Sequence, residues 1–528
     1  MAAQYKTPGV YVVEVDGFSS SVVEVATAIP AFIGFTEYAK NGNQDLTNVP
    51  MPITSMVEFQ KYFADPTSLL NGAPKPQFNY VTKSNAMPPY ATDPSGPRFN
   101  LYYSMQMFFN NGGGSCYIVS IGTYKNVIAN GSTIDPTLFI NALQALTKFA
   151  QPTMLVMPDA TMLSVDDWKT VSQMSLTHCN TMQSRIAIFD VVNGYLPADG
   201  TTTDPISGAD GMSGFYKVAG LGEEFDKYGV AYYPWLNTDI VNSSNIDFSW
   251  LSTGTLGTLQ GDLITESTSI FPPATAGGPP NAKLAPYQAI INALAVPQPS
   301  SATYAQDVIT QKSNHQTLLS LSPTYQQTMT DISTSVNLLP PSGAMAGVYT
   351  RNDNTFGVYQ SPANTTIISA NSPAVNINDF DQQNLNVPLN GLAVNAIRAF
   401  PNYGLLVWGA RTMAGNSDDW RYVSVRRTMI MLEQSIKAAM QAYVFKSNDA
   451  LTWTAVNSTI TNFLNSQWKA GALVGAKASD AFNVSVGLGV TMTGEDILNG
   501  LMNVSIGVAV VRPAEFIILT FQQQMQTS

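Results

Sequence analysis

The two ends of this 528-residue chain are among its most strand-prone segments, and that limits what the chain can fold into. Residues 512–524, RPAEFIILTFQQQ, carry a nearly unbroken apolar run of Phe516, Ile517, Ile518 and Leu519, with Phe521 one step on. Residues 5–15, YKTPGVYVVEV, bring Val10, Tyr11, Val12, Val13 and Val15 together. Chain ends ordinarily fray, and an exposed apolar strand edge recruits other chains. Such ends either tuck into the chain's own sheet or pair with the sheets of neighbouring copies. The second solution makes the chain a linked polymer subunit.

Composition fits a polymer. Charged residues are 12% of the chain, about half the roughly 25% of an ordinary domain. A surface of neutral polar groups suits a protein covered largely by copies of itself. The net charge of −11 argues against nucleic acid, which needs a basic stripe. The first residues, MAAQYKTPG, lack a charged leader with an apolar core, so no secretory signal is expected. Residues 497–511 are too short and too interrupted to span a bilayer, so no direct membrane insertion is expected. Two cysteines, Cys116 and Cys179, exclude a disulfide framework and fit a reducing compartment.

Along the chain, an apolar segment at residues 22–35 ends in AFIGF, and residues 41–97 read as loop-dominated. From 99 to 190 the pattern alternates. Helices are predicted at 101–109, 136–149 and from a Ser164 cap to about Cys179. Strands are predicted at 116–121, 154–157 and 186–189. That β-α-β-α-β order implies a parallel sheet covered by helices. Residues 237–341, rich in Ser, Thr, Pro and Gly, read as a peripheral insertion with one or two helices, such as 287–295. In the last third, residues 391–413 predict two buried strands around the turn 400–404. A long helix follows from about Trp420 to Phe445, its stripe running through Val425, Met429 and Leu432, and a second helix covers about 456–470.

Signatures of catalysis are missing. His178 and His315 are the only histidines. His178 adjoins Cys179, but neighbours on a helix point in different directions, and no zinc-type spacing exists. The triple glycine 112–114 precedes a strand and lacks the phosphate-loop lysine. Asp190 ends a parallel strand, where dinucleotide folds hold ribose, but without the glycine fingerprint it reads as a plain loop carboxylate. No cofactor and no metal are expected. One electrostatic feature stands out: residues 420–446 hold Arg421, Arg426, Arg427, Lys437 and Lys446 against a single Glu433. This strip is either a solvated helix face or a docking strip for an acidic protein surface.

Several segments occur in the order found in one known family. They are YKTPGVYVVEV, FFNNGGGSCYIVS (108–120), YYPWL (232–236), PPSGAMAGVYTRND (340–353), GLAVNAIRAFPNYGLLVWGARTM (391–413), DDWRYVSVRR (418–427) and RPAEFIILTFQQQ. In these the chain resembles the contractile tail sheath proteins of phages and of related extracellular injection systems. The match is poor at 41–97 and 237–339.

The resemblance implies a multidomain α/β subunit, with a core formed jointly by its N- and C-terminal segments, outward-facing inserted domains and extended strand arms. The expected division is 1–36 (arm and first part of the core), 37–98 (loop-rich insertion), 99–236 (α/β insertion), 237–340 (peripheral insertion), 341–511 (sheath core) and 512–528 (arm). It implies stacked hexameric rings around an inner tube, linked by arms that add strands to neighbours' sheets. Contraction, triggered at a baseplate, would drive the tube through a target envelope. The partners implied are copies of the chain itself, the tube protein, and baseplate and terminator or cap proteins, with paralogous sheath proteins left open. Assembly is expected in the bacterial cytoplasm, followed by release or anchoring through other components. Tube contact falls to Arg426, Arg427 and Lys437, with at least one of the arginines projecting from the core. Lys469 and Lys477 form the alternative strip. Two rivals remain: a static shell, fibre or surface-layer protein, and a nucleotide-binding α/β enzyme.

Overall fold

The run AFIGF organises the sheet. In the computed structural model, which describes residues 22–66, 75–80, 98–124, 134–208, 214–297 and 301–519, it forms β1 (Pro30–Thr36), buried at every position. A strand buried on both faces loses the usual apolar–polar alternation and becomes a continuous apolar run. Its two faces are used by different partners. Phe32 meets Phe108 edge-on at 5.1 Å, whereas Phe35 meets Phe139 at 6.4 Å.

The strands continue in chain order as β2 (Lys40–Asn41), β3 (Gln44–Asp45), β4 (Met51–Ile53), β5 (Cys116–Thr123), β6 (Met154–Val156), β7 (Ile186–Asp190) and β8 (Gly229–Tyr233). Then come β9 (Leu236–Thr238), β10 (Leu338–Leu339), β11 (Thr365–Thr366), β12 (Ala370–Pro373), β13 (Asn395–Phe400) and β14 (Gly404–Val407). Nine of them form one sheet in the order β11-β14-β13-β8-β7-β6-β1-β5-β4. Its middle, from β13 to β5, is parallel, and the strands outside are antiparallel. The β-α-β-α-β pattern is present as expected. It is not a separate body, however: β1 lies between β5 and β6, and β13 extends the sheet from β8. Boundaries after residue 36 and before 341 therefore cut through one sheet.

Among the described residues, the helices of eight residues or more in this part are α1 (Met56–Phe63), α2 (Asn100–Asn110), α3 (Thr137–Leu146), α4 (Val165–Met182), α5 (Thr253–Ile270), α6 (Leu284–Asn292), α7 (Tyr304–Leu321), α8 (Pro323–Val336), α9 (Ser342–Phe356) and α10 (Asp379–Asn386). Ser164 caps α4, accepting from Asp167 N at 3.2 Å. Helices α2 and α9 pack on each other and on the sheet, and α3 and α4 pack on it as well. One expectation is corrected. Residues 41–97, read as loop-dominated, hold α1 and β4 among their described residues. The 237–340 insertion holds four helices, α5 to α8, whose Ser, Thr and Gln content blurs any apolar stripe. Helix α9 gave no stripe at all because residues 342–350 are buried all round, and such a helix shows no amphipathic pattern.

The chain divides into two compact units. The sheet unit contains residues 26–427 and the segment beginning at Pro513. The hairpin unit contains 428–512 with the N-terminal residues up to Val25. The division falls inside α11 (Val423–Met440), after Arg427. The hairpin unit continues with α12 (Ala450–Lys469) and the antiparallel pair β15 (Phe482–Val486) and β16 (Val504–Val508). Its N-terminal residues dock on its helices: Val25 N donates to Ser435 Oγ at 3.0 Å, and Gln467 Nε2 donates to Glu24 Oε2 at 3.1 Å. Among the described residues, no helix is long and apolar enough to cross a membrane.

Glycine sets the approach of α9 to α2. A Cβ at Gly347 would stand 2.5 Å from Phe108 O and 2.7 Å from Asn111 Cβ. Gly347→Ala is therefore expected to lower subunit stability by about 1–3 kcal/mol, as overpacking does. Gly257→Ala, in open space on α5, is expected to raise it by about 0.5–1 kcal/mol. Urea denaturation of the unassembled chain checks both, and equal effects at the two positions would rule out the close approach.

Candidate functional site

The C-terminal run is described as far as Leu519. Phe516, Ile517, Ile518 and Leu519 are 69%, 80%, 88% and 73% exposed and form no strand. The expected terminal strand is therefore unpaired within one copy. Val10, Tyr11, Val12, Val13, Val15 and Phe521 lie outside the described residues.

Just before the run, Glu515 is held fast. Its Oε1 accepts from Arg411 Nε at 3.0 Å and Asn386 Nδ2 at 2.7 Å. Its Oε2 accepts from Arg411 Nη2 at 2.7 Å and Tyr422 Oη at 3.0 Å. Burial alone would raise the Glu515 carboxyl, but these donors, Arg411 foremost, hold it below its ordinary value. Sequence reasoning missed this cluster. The available signal was Glu515 itself, the sole acid from Arg512 to the end of a charge-poor chain.

The basic strip is not what the helical stripe suggested. Arg426 and Arg427 are 3% and 4% exposed, so neither projects from the core. Arg426 lies over the rings of Trp420 and Tyr228, at 4.6 and 5.0 Å. Arg427 Nη1 and Nη2 donate to Asp353 at 2.9 and 2.5 Å, and Nη2 also donates to Thr27 O at 3.1 Å. Thr27 Oγ1 completes the cluster, donating to Asp353 Oδ2 at 2.6 Å. Lys437, Lys469 and Lys477 are exposed. The first two stand in the last turns of α11 and α12, where a cation also complements the helix dipole.

At the carboxyl ends of the strands, an open α/β sheet usually leaves a ligand crevice. Here two carboxylates that receive helix starts stand at that edge, beside a cavity of about 240 Å³ lined by Val165, Trp168, Asn193 and Phe215. Asp159, after β6, accepts from Phe35 N at 2.7 Å and from Leu101 N, in the first turn of α2, at 3.2 Å. Gly34 leaves it room, since a Cβ there would sit 2.5 Å from Asp159 Oδ2. Asp190, at the end of β7, accepts from Ser342 N at 2.7 Å and Ser342 Oγ at 2.5 Å, at the start of α9. Burial pushes both carboxyls up to about 7. Asp190 thus holds a helix start where a dinucleotide enzyme would hold ribose. His178 faces Arg185, its Nε2 3.3 Å from Arg185 Nη1, and burial, followed by Arg185, lowers its pKa to about 4. His315 Nδ1 pairs with Tyr325 Oη at 2.8 Å. Among the described residues, no group of three or more His, Cys, Asp or Glu could hold a metal ion.

Residues 416–524 match the family model of the phage tail sheath C-terminal domain. That C-terminal stretch is similar to the C-terminal domain of tail sheath proteins. A tail sheath protein of Salmonella phage ViI is 26% identical over 149 residues, covering 26% of this chain and 22% of that relative. The fold extends the likeness to nearly the whole chain. Against the contracted helical sheath of the anti-feeding prophage, identity is 25% and the TM-score 0.58, covering 99% of this chain and 100% of that one. Against the contracted sheath complex of the extracellular contractile injection system PVC, identity is 24% and the TM-score 0.57, covering 99% of both chains. These relatives are structural sheath proteins.

The tie between Arg427 and Asp353 makes a direct prediction. Arg427→Glu would set two carboxylates against each other in a buried site. Breaking a buried pair costs about 3–5 kcal/mol, so the subunit is expected to lose most of its stability to urea. The exposed Lys437→Glu control should change it by less than about 0.5 kcal/mol. A wild-type denaturation midpoint for Arg427→Glu would contradict the buried tie.

Proposed function

We propose that this chain is the repeating subunit of a contractile sheath, polymerising as stacked six-membered rings around an inner tube and shortening to drive the tube through a target envelope. The observation that carries this function is the likeness over 99% of the chain to the contracted anti-feeding prophage sheath, at 25% identity. The subunit acts through packing, not chemistry. Its sheet carries helix caps at its carboxyl edge, which disfavours the nucleotide-enzyme alternative. A static shell would share the terminal arms but would show one lattice spacing in place of two.

The arms link the copies. Four large apolar side chains left open at Phe516 to Leu519 need a neighbour's sheet, and strand addition supplies backbone partners together with burial. The β15–β16 pair suits the role of acceptor, because two strands alone are marginal and gain from a third. Truncation after Glu515 is expected to leave a folded chain with an unchanged melting curve that forms no sheath in electron micrographs. Sheaths of normal length from the truncated chain would refute the arm exchange.

Tube contact falls to Lys437, Lys469 and Lys477. Exposed charge pairs, each worth about 0–1 kcal/mol, hold collectively around a ring and release without stranding a buried charge. Reversing all three lysines to glutamate is expected to abolish extended sheath on tubes while tube-free polymer still forms. Normal extended particles from the triple variant would exclude these lysines.

A further inference from the structure

We propose that Glu515 is the positioning residue of the C-terminal arm: its clasp by Arg411, Asn386 and Tyr422 fixes the point from which residues 516–519 reach a second copy. This rests on the arm exchange proposed above and adds what sets its geometry.

The clasp is rigid on its inner side. Arg411 is 3% exposed, and its Nη1 donates to Asn386 O and Gly415 O, each at 3.1 Å. Its backbone N donates to Asn395 Oδ1 at 2.7 Å, and its carbonyl accepts from Asn395 Nδ2 at 2.8 Å. Asn395 opens β13, and its Nδ2 also donates to Ala231 O in β8, at 3.1 Å. The guanidinium that grips Glu515 is thus tied into the nine-stranded sheet. Two further donors, from α10's last residue Asn386 and from Tyr422, leave the carboxylate little freedom.

On its outer side the clasp ends abruptly. The Glu515 side chain is 22% exposed, whereas the next four residues are open and unpaired. The chain enters the sheet unit at Pro513, so Glu515 fixes the arm within three residues of that entry. A fixed root with a free tip has a defined reach. Without the clasp, residues 513–515 become slack, and extended chain adds about 3.3–3.6 Å per residue, or roughly 10 Å in all. The tip would then search a larger volume, and the effective concentration at its acceptor would fall.

The same feature could serve only to stabilise the sheet unit, and full-length variants separate the two roles. Glu515→Gln keeps the side chain's shape but loses its charge. A second variant inserts three glycines between Glu515 and Phe516, leaving the clasp intact and lengthening the reach alone. Both are expected to polymerise only above a threshold concentration on the order of tenfold higher than wild type, and into lattices of irregular spacing by electron microscopy. The inserted variant should melt, unassembled, at the wild-type temperature. Wild-type threshold and spacing in either variant would overturn the proposal. Lost assembly in Glu515→Gln alone, with a lowered melting temperature and a normal lattice from the glycine variant, would make the clasp a stabiliser and also overturn it. Sheath formation by the chain truncated after Glu515 is a different result, because it removes the arm exchange itself.

Discussion

Complete burial of β1 is the constraint from which the rest of the sheet unit follows. A parallel strand with apolar side chains on both faces must have helices on both, and their N-termini arrive at the carboxyl edge of the sheet with unsatisfied N–H groups. Asp159 and Asp190 meet that need from the ends of β6 and β7. Their solution commits both carboxylates to helix starts, where a doubly wound enzyme uses such an acid on ribose. The same architecture that elsewhere binds dinucleotides here spends its edge carboxylates on fixing its own helices.

Both described clasps lie where the chain passes between its two units. Thr27 and Arg427, each within two residues of a passage, meet on Asp353 of α9. Glu515 lies three residues beyond the passage at Arg512. Buried ion pairs contribute little net stability once desolvation is counted, and their better-attested role is to specify one arrangement. Placed near these passages, they fix the chain on the sheet-unit side of each. Several of the chain's few arginines, Arg411, Arg426 and Arg427 among them, sit inside.

How far the sequence could be read depended on how one-sided each element is. AFIGF, the alternating strands and helices of 99–190, the Ser164 cap and the 395–407 hairpin all declared themselves, because each shows a periodic or continuous apolar pattern with a clear stop. Helix α9 did not, because burial on all sides erases the stripe and its glycines lower helix propensity. Arg426 and Arg427 misled for a related reason. Positions 423–428 of α11 are all buried, so lying off the stripe of Val425 and Met429 did not mean facing water. Partners distant in sequence, such as Asp353 for Arg427 and Arg411 for Glu515, leave no local signal. The apolar run at 516–519 was legible as a sticky end, but its lack of any partner within one copy is visible only in three dimensions.

That run also bears on how a joint between copies would fail. Fully covering a large apolar side chain is worth about 1.5–3 kcal/mol, so four of them would bring roughly 6–12 kcal/mol to a seam between neighbours, before ordering costs. A folded domain is itself held by only about 5–15 kcal/mol. The seam's figure is gross and shrinks once ordering and association are subtracted, whereas the fold's is net. A joint of this kind would let go before the subunit unravels, so failure under load would leave separated, still-folded copies able to pair again.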